Sequence, residues 1–139
     1  MAAILIIDED VQFTAMLAAV LRAEGHQVRV ALDGNRGIRM ASTSVPDVIL
    51  LDLWTPPLDG SGVVYRLHFM GEGLELVPVV LLSDSPDLAG AAAQLGTPYY
   101  VAKPPTLGTL MPVLARAILA RIPPTPVRPF ELRGRPALG

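Results

Sequence analysis

The sequence contains no cysteine, which excludes disulfide bonds and thiolate metal sites. No apolar run approaches the roughly 20 residues that a membrane-spanning helix needs. The first residues, MAAILIIDED, reach acidic side chains without a preceding basic segment, so they do not form a signal peptide. We therefore expect a cytoplasmic protein.

Lysine is almost absent as well. Lys103 is the only lysine, the other basic residues are all arginines, and the net charge is −2. Three arginines lie in residues 122–139 against one acid, so the preceding part of the chain is more acidic than the total charge suggests. There is no basic stripe of the kind found in nucleic-acid-binding proteins, and we expect direct contact with neither nucleic acid nor a membrane.

The length of 139 residues fits a single domain with one hydrophobic core. Residues 1–121 carry the periodic patterns of secondary structure and are predicted to be that domain. Residues 122–139 contain five prolines and no periodicity, which favours a tail or linker. A PxxP pattern between Pro123 and Pro126 leaves a polyproline ligand as the alternative.

The apolar patterns predict five strands alternating with five helices. Because three of the strands are continuously apolar, the pattern indicates a parallel sheet covered by helices on both faces. In the fourth helix Ser85 is the expected N-cap, with Pro86 at the first position. Pro112 lies within the fifth pattern, so that helix either kinks there or begins nearer Thr109. The predicted strands are 3–7, 27–31, 47–51, 77–82 and 99–102, and the predicted helices are 10–24, 34–44, 60–70, 85–96 and 106–121.

Polar side chains follow four of these strands. The carboxyl ends of parallel strands meet at one edge of the sheet, so these side chains are expected to converge there. A cluster of carboxylates needs a cation, and oxygen ligands suit Mg²⁺. A hydroxyl and an ammonium opposite them predict a carboxylate that accepts a phosphoryl group with the help of Mg²⁺. The residues are Asp8, Glu9, Asp52, Ser83 and Lys103.

From residue 2 to about 121 the chain resembles a response-regulator receiver domain of two-component signal transduction. The stretches that carry the resemblance are ILIIDED, ALDG, VILLDLWTPPLDG, VPVVLLSD and YYVAKP. The resemblance implies a flavodoxin-like fold with five helices and strand order 2-1-3-4-5. It also implies a phosphorylated regulatory domain that catalyses no more than its own phosphorylation and dephosphorylation.

The resemblance assigns a role to each site residue. Asp52 would be the phosphoacceptor, taking the phosphoryl group from a phosphohistidine of a sensor histidine kinase or phosphotransfer protein. Asp8, Glu9 and Asp52 would bind Mg²⁺, together with the backbone carbonyl of Trp54. Ser83 and Lys103 would bind the phosphoryl oxygens. Ser83 and Tyr100 would act as the switch that changes the face made by the fourth helix, fifth strand and fifth helix.

Further positions match the family, and two depart from it. Pro56, Asp59 and Gly60 match the turn after the phosphorylation site, and the Lys103–Pro104 bond resembles one that is usually cis. Asp84 stands where the family usually has a small residue, so it either adds negative charge near the site or points away. Trp54 is bulky at a position that influences water access to the acyl phosphate, which predicts slow self-dephosphorylation.

Alternatives from other classes are weaker. A pseudo-receiver would use the same fold as a binding platform without phosphate. A dehalogenase-like phosphatase needs a second acid where Trp54 lies, and a nucleotide binder would need a glycine-rich loop instead of Asp8-Glu9-Asp10. The sequence is either a stand-alone receiver or a piece of a longer regulator, so a downstream effector protein or an output domain is expected. The apolar fourth and fifth helices leave a homodimer through that surface open.

Overall fold

A five-stranded parallel sheet forms the centre of the computed structural model, which describes residues 1–55 and 58–126. Pro56 and residues 127–139 of the predicted tail lie outside the described residues. The strands are β1 Ala3–Ile7, β2 Gln27–Ala31, β3 Val48–Asp52, β4 Trp54–Thr55, β5 Leu58–Asp59, β6 Val79–Ser83 and β7 Tyr99–Ala102. The helices are α1 Val11–Ala23, α2 Gly34–Thr43, α3 Gly60–Met70, α4 Leu88–Leu95 and α5 Leu107–Ala120, with a 3-10 helix at Leu74–Leu76.

The sheet has the order β2-β1-β3-β6-β7, and all of its pairs are parallel. This is the predicted order 2-1-3-4-5, since β4 and β5 form a separate two-stranded antiparallel hairpin. The sequence did not predict this hairpin. It connects the end of β3 to the start of α3, so it lies directly after Asp52.

The central strands are buried on both faces, as their continuous apolar runs predict. Leu5, Ile49 and Leu81 face α2, α3 and α4 in one apolar cluster. Ile6 and Leu50 face α1 and α5 in the other. The two clusters fix the strands in register, so the residues that follow them are brought to one edge of the sheet.

Aspartate caps four of the five helices. The carboxylates of Asp10, Asp33, Asp59 and Asp87 each accept a hydrogen bond from a backbone N–H in the first turn of α1, α2, α3 and α4. This satisfies N–H groups that have no partner within the helix. Thr106 caps α5 through a reciprocal pair of hydrogen bonds with Thr109.

The structure corrects the predicted start of the fourth helix and excludes one of the two alternatives left open for the fifth. The fourth helix begins at Leu88 with Asp87 as its N-cap, so the expectation that Ser85 caps it was wrong. The fifth begins at Leu107, so it does not start nearer Thr109, and Pro112 lies inside it. The Thr106–Thr109 capping box defines this start more strongly than the proline does.

None of the helices within residues 1–55 and 58–126 has the length and apolar character required to span a bilayer.

Candidate functional site

The amino group of Lys103 joins two carboxylates at the carboxyl edge of the sheet. Its Nζ lies 2.6 Å from Oδ2 of Asp8 and 3.1 Å from Oδ1 of Asp52. Asp8 directly follows β1, Asp52 ends β3, and Lys103 directly follows β7. The topology therefore brings together three residues that are up to 95 positions apart in the sequence.

Asp52 is a partly desolvated carboxylate, with 13% of its side chain exposed. Burial raises its pKa above the ordinary value, and the negative charge of Asp8 raises it further. The hydrogen bond and positive charge of Lys103 act in the opposite direction, as does a hydrogen bond from the backbone N–H of Trp54. The net direction is upward, so the ionised form of Asp52 is less stable here than in water.

Lys103 is held as a cation by these two partners. Burial alone would lower its pKa, but the hydrogen bonds and charges of Asp8 and Asp52 outweigh burial and raise it. The amino group also lies 4.8 Å from the centre of the Phe13 ring, in the geometry of a cation–π contact. Sequence reasoning missed Phe13, because no local pattern in the sequence indicates a contact between this ring and Lys103.

Asp8 is fixed more tightly than Asp52. Only 2% of its side chain is exposed, and its Oδ1 accepts a hydrogen bond of 3.0 Å from the backbone N–H of Asp10. The backbone N–H of Asp8 donates to the carbonyl oxygen of Ala31 on β2. These contacts hold the Asp8 carboxylate in one orientation, with its second oxygen towards Lys103.

Glu9 is exposed, and it does not form a carboxylate triad with the other two acids. Within residues 1–55 and 58–126, no three acidic, histidine or cysteine side chains are close enough together to hold a metal ion. The apolar periodicity that positions Asp8 and Asp52 stops where each strand ends. It therefore does not determine the direction of the Glu9 side chain, which comes one residue after Asp8. Asp8 and Asp52 still fit part of a magnesium site, because two carboxylates and one ammonium leave a net negative charge among oxygen ligands.

Ser83 ends β6 and is 3% exposed. Its hydroxyl accepts a hydrogen bond of 3.0 Å from the backbone N–H of Ser85, and its carbonyl accepts one of 2.9 Å from that of Lys103. Asp84, one of the two departures from the family pattern, is exposed. Ser83 therefore lies at the end of β6, between Asp52 at the end of β3 and Lys103 just after β7.

The other predicted positions lie around this centre. Trp54 and Tyr100 are exposed, with exposed fractions of 65% and 40%. The Lys103–Pro104 peptide bond is cis. Gly60 is buried at the start of α3, where a side chain would be crowded by Leu95 and by the backbone of Leu53.

Comparisons with known proteins agree on one family. The sequence profile of the response regulator receiver domain matches residues 4–115. The transcriptional regulatory protein PrrA of Mycobacterium tuberculosis is 37% identical over 120 residues, which are 85% of this chain and 50% of that protein. The probable transcriptional regulatory protein TcrX of the same organism is 32% identical over 120 residues, with the same coverage. The chain therefore spans about half the length of the curated relatives it matches.

Solved structures share the fold. The chemotaxis protein CheY4 of Vibrio cholerae superposes with a TM-score of 0.75 and 25% identity, over 84% of this chain and 98% of that one. NtrX of Brucella abortus, solved in complex with ATP, gives a TM-score of 0.76 and 27% identity, over 86% of this chain and 27% of that one. The similarity thus covers nearly the whole of one shorter protein and one segment of a much longer chain.

Proposed function

The chain belongs to the response regulator receiver domain family, and we propose on that premise that Asp52 accepts a phosphoryl group from the phosphohistidine of a sensor kinase or phosphotransfer protein. The observation that carries the proposal is the contact of Lys103 with both Asp8 and Asp52. A structural ion pair at a strand end would need only one acid. A half-buried cation shared by two acids instead provides positive charge beside a carboxylate that must approach an anion.

The proposed reaction is a displacement at phosphorus. An oxygen of Asp52 attacks, the phosphorus–nitrogen bond of the phosphohistidine breaks, and the imidazole leaves with the bonding electrons. An acyl phosphate forms on Asp52. Lys103 would then hold a phosphoryl oxygen in place of one carboxylate oxygen, which its three N–H donors allow without loss of the contact to Asp8.

Magnesium is the cofactor we propose for this step. Asp8, Asp52, Glu9 and the Trp54 backbone carbonyl are the oxygen donors that would hold it, and Glu9, which is exposed, would rotate towards the site. When bound, the ion supplies positive charge to the phosphoryl oxygens. The raised pKa of Asp52, caused by burial and by Asp8, means that ionisation of this carboxylate is unfavourable. It supports this proposal because a further cation would make the ionised form more stable.

The output we propose is a population shift. The Ser83 hydroxyl would exchange its hydrogen bond from the Ser85 N–H for one to the phosphoryl group, and Tyr100 on β7 would turn inward from its exposed position. These changes would alter the face made by α4, β7 and α5. That face would bind a downstream effector protein, an output domain or a second copy of the chain.

Incubation with acetyl phosphate and Mg²⁺, followed by intact-mass measurement, tests the proposal. We expect a mass increase of one phosphoryl group that is lost at alkaline pH and is absent in Asp52→Asn. Asp84→Asn, which removes an exposed carboxylate next to Ser83, is the control and should be phosphorylated like the parent.

A protein that gains no mass, or gains it equally in Asp52→Asn, would contradict the phosphoacceptor role. That outcome would favour the phosphorylation-independent platform instead. If acetyl phosphate does phosphorylate Asp52, phosphotransfer from purified candidate kinases would identify the natural donor.

A further inference from the structure

The five residues after Arg121, the C-cap of α5, lie against the domain. Of the segment Ile122–Pro126, only two residues have a backbone N–H, because the other three are prolines. Both N–H groups donate to the domain: Ile122 to the hydroxyl oxygen of Tyr99 at 3.3 Å, and Thr125 to the carbonyl oxygen of Gly96 at 2.7 Å. A solvated linker would leave these donors to water, so this segment is docked.

The contact with Gly96 is too close for any side chain at that position. A Cβ atom on Gly96 would overlap the carbonyl of Thr125. Gly96 also has a φ of +82°, in the left-handed conformation that ends α4. Glycine is therefore required twice here, once to end the helix and once to admit the segment that crosses it.

The chain turns into this position at Arg121, which ends α5. Its φ of +55° is a left-handed conformation that costs free energy for a residue other than glycine. Beyond the turn, Pro124 lines a small, mostly apolar cavity together with Val64, Leu67 and Val79. The segment thus runs from the end of α5 past the end of α4 to the amino end of β6.

Helix α4 is the shortest of the five α-helices. It has eight residues, and its buried side chains are two alanines and one leucine: Ala91, Ala92 and Leu95. Helices shorter than about 12 residues are marginal without tertiary contacts. Contacts at its two ends, the Asp87 cap and the Gly96 carbonyl, therefore have a large share in keeping it folded.

We propose that Ile122–Pro126 is a strap that pins the carboxyl-terminal end of α4 and so restrains the face made by α4, β7 and α5. The Thr125–Gly96 hydrogen bond holds the strap to the end of α4, and the Ile122–Tyr99 hydrogen bond holds it to β7, next to Tyr100. The two consecutive prolines lower the entropy cost of docking, since they restrict the undocked chain. The strap requires neither phosphate nor magnesium.

Hydrogen exchange of the full chain, read by mass spectrometry in metal-free buffer without a phosphoryl donor, tests the strap. Thr125→Pro removes the donor N–H, whereas Thr125→Ala keeps it and changes only an exposed side chain. We expect α4 amides to exchange about fivefold faster in Thr125→Pro, as for the loss of one hydrogen bond, and at the parent rate in Thr125→Ala. Amides of α1 should not change in either variant.

Gly96→Ala supplies a second, independent measurement. Its added Cβ should displace the strap, so its effect on α4 should be smaller in a Thr125→Pro background, where the strap is already released. Gly25→Ala is the control for left-handed strain, because Gly25 has a φ of +95° and open space around it. Its effect should be the same in both backgrounds.

Equal α4 exchange in Thr125→Pro and Thr125→Ala would overturn the strap, as would purely additive effects of Gly96→Ala and Thr125→Pro. If Gly96→Ala does not fold, the comparison of α4 exchange between Thr125→Pro and Thr125→Ala is sufficient to test the strap. These outcomes do not depend on phosphorylation, so they leave the proposed function to its own test.

Discussion

Lys103 provides one positive charge for the two carboxylates that it contacts, and this imbalance determines how the site responds to pH. Burial and the charge of Asp8 raise the pKa of Asp52 above its ordinary value of 3.8. A carboxyl group with a raised pKa in the folded state adds stability only while it is protonated. That stability is complete below pH 3.8 and is lost as the pH rises from 3.8 through the folded-state pKa.

Asp52→Asn should therefore stabilise the metal-free protein at neutral pH. The amide keeps a hydrogen-bond acceptor for Lys103 but carries no charge to desolvate. We expect the free energy of unfolding in urea to rise by about 1 kcal/mol at pH 7, and the difference from the parent to shrink at pH 3.5. Asp84→Asn is the control, and a stability gain of equal size at both pH values in Asp52→Asn would contradict the electrostatic explanation.

Magnesium should stabilise the folded protein, because the unfolded chain does not hold Asp8 and Asp52 together. We expect the melting temperature to rise with millimolar Mg²⁺ by a few degrees. The rise should be smaller in Asp52→Asn, and smaller in Glu9→Gln if Glu9 rotates into the site. Sodium chloride at matched ionic strength controls for screening. A melting temperature that is unchanged by Mg²⁺, or a shift equal in all three proteins, counts against the metal site.

Trp54 gives a separate kinetic prediction. Its backbone N–H donates to Asp52, while its ring is largely exposed beside the site. Trp54→Asn keeps the backbone donor and removes only the large side chain, which we expect to limit access of water to the acyl phosphate. We expect the phosphorylated form to decay several-fold faster in Trp54→Asn, measured by intact mass after removal of acetyl phosphate. A half-life equal to or longer than that of the parent would show that the ring does not shield the site.

Residue by residue, the sequence predicted the positions of Asp8, Asp52 and Lys103 because each lies at or next to the end of a predicted strand. Apolar periodicity fixes where a strand ends, and parallel topology brings the ends together. Glu9 lies one position further from the strand end than Asp8, so neither periodicity nor topology fixes its direction, and its side chain is exposed. Phe13 was missed because its contact with Lys103 depends on the packing of α1 against the site, which no local pattern encodes.

At the scale of the elements, the boundaries of α4 show where a local signal becomes ambiguous. The stretch Ser85-Pro86-Asp87 contains three residues that favour a helix start. The structure selects Asp87, and Gly90 explains the choice: a Cβ there would overlap the Asp87 carboxylate that caps its N–H. An aspartate followed three residues later by glycine was therefore the more informative pattern.

The cap assignment is tested by a pair of alanine substitutions. Asp87→Ala removes the acceptor for the Gly90 N–H and should lower the free energy of unfolding by about 1 kcal/mol. Ser85→Ala lies outside the helix and removes only a hydrogen bond of 3.3 Å from the N–H of Asp87. It should change stability by less than about 0.5 kcal/mol. Urea denaturation measures both, and a larger loss in Ser85→Ala would restore the start predicted from the sequence.

At the scale of the whole molecule, alternating strands and helices were enough to predict a parallel sheet covered by helices on both faces, whereas the strand order 2-1-3-4-5 was predicted from the resemblance to the receiver family. The end of the domain was harder to predict. Residues 122–126 have the composition of a linker, and the partners of their two N–H groups, Tyr99 and Gly96, lie more than 20 positions away in the sequence. Composition cannot report such contacts, so the predicted boundary at residue 121 divides the chain just before a docked segment.

Two shortened proteins locate the end of the folded unit, one ending at Pro126 and the other at Arg121. Both lack residues 127–139, so any difference between them belongs to the strap. The shorter protein loses two hydrogen bonds and the apolar contact of Pro124, which should lower the free energy of unfolding by about 2 kcal/mol. For a domain of this size the melting temperature should fall by about 6 °C. Equal melting temperatures would instead place the end of the domain at residue 121, as composition predicts, and would mean that the docked segment contributes nothing to the stability of the fold.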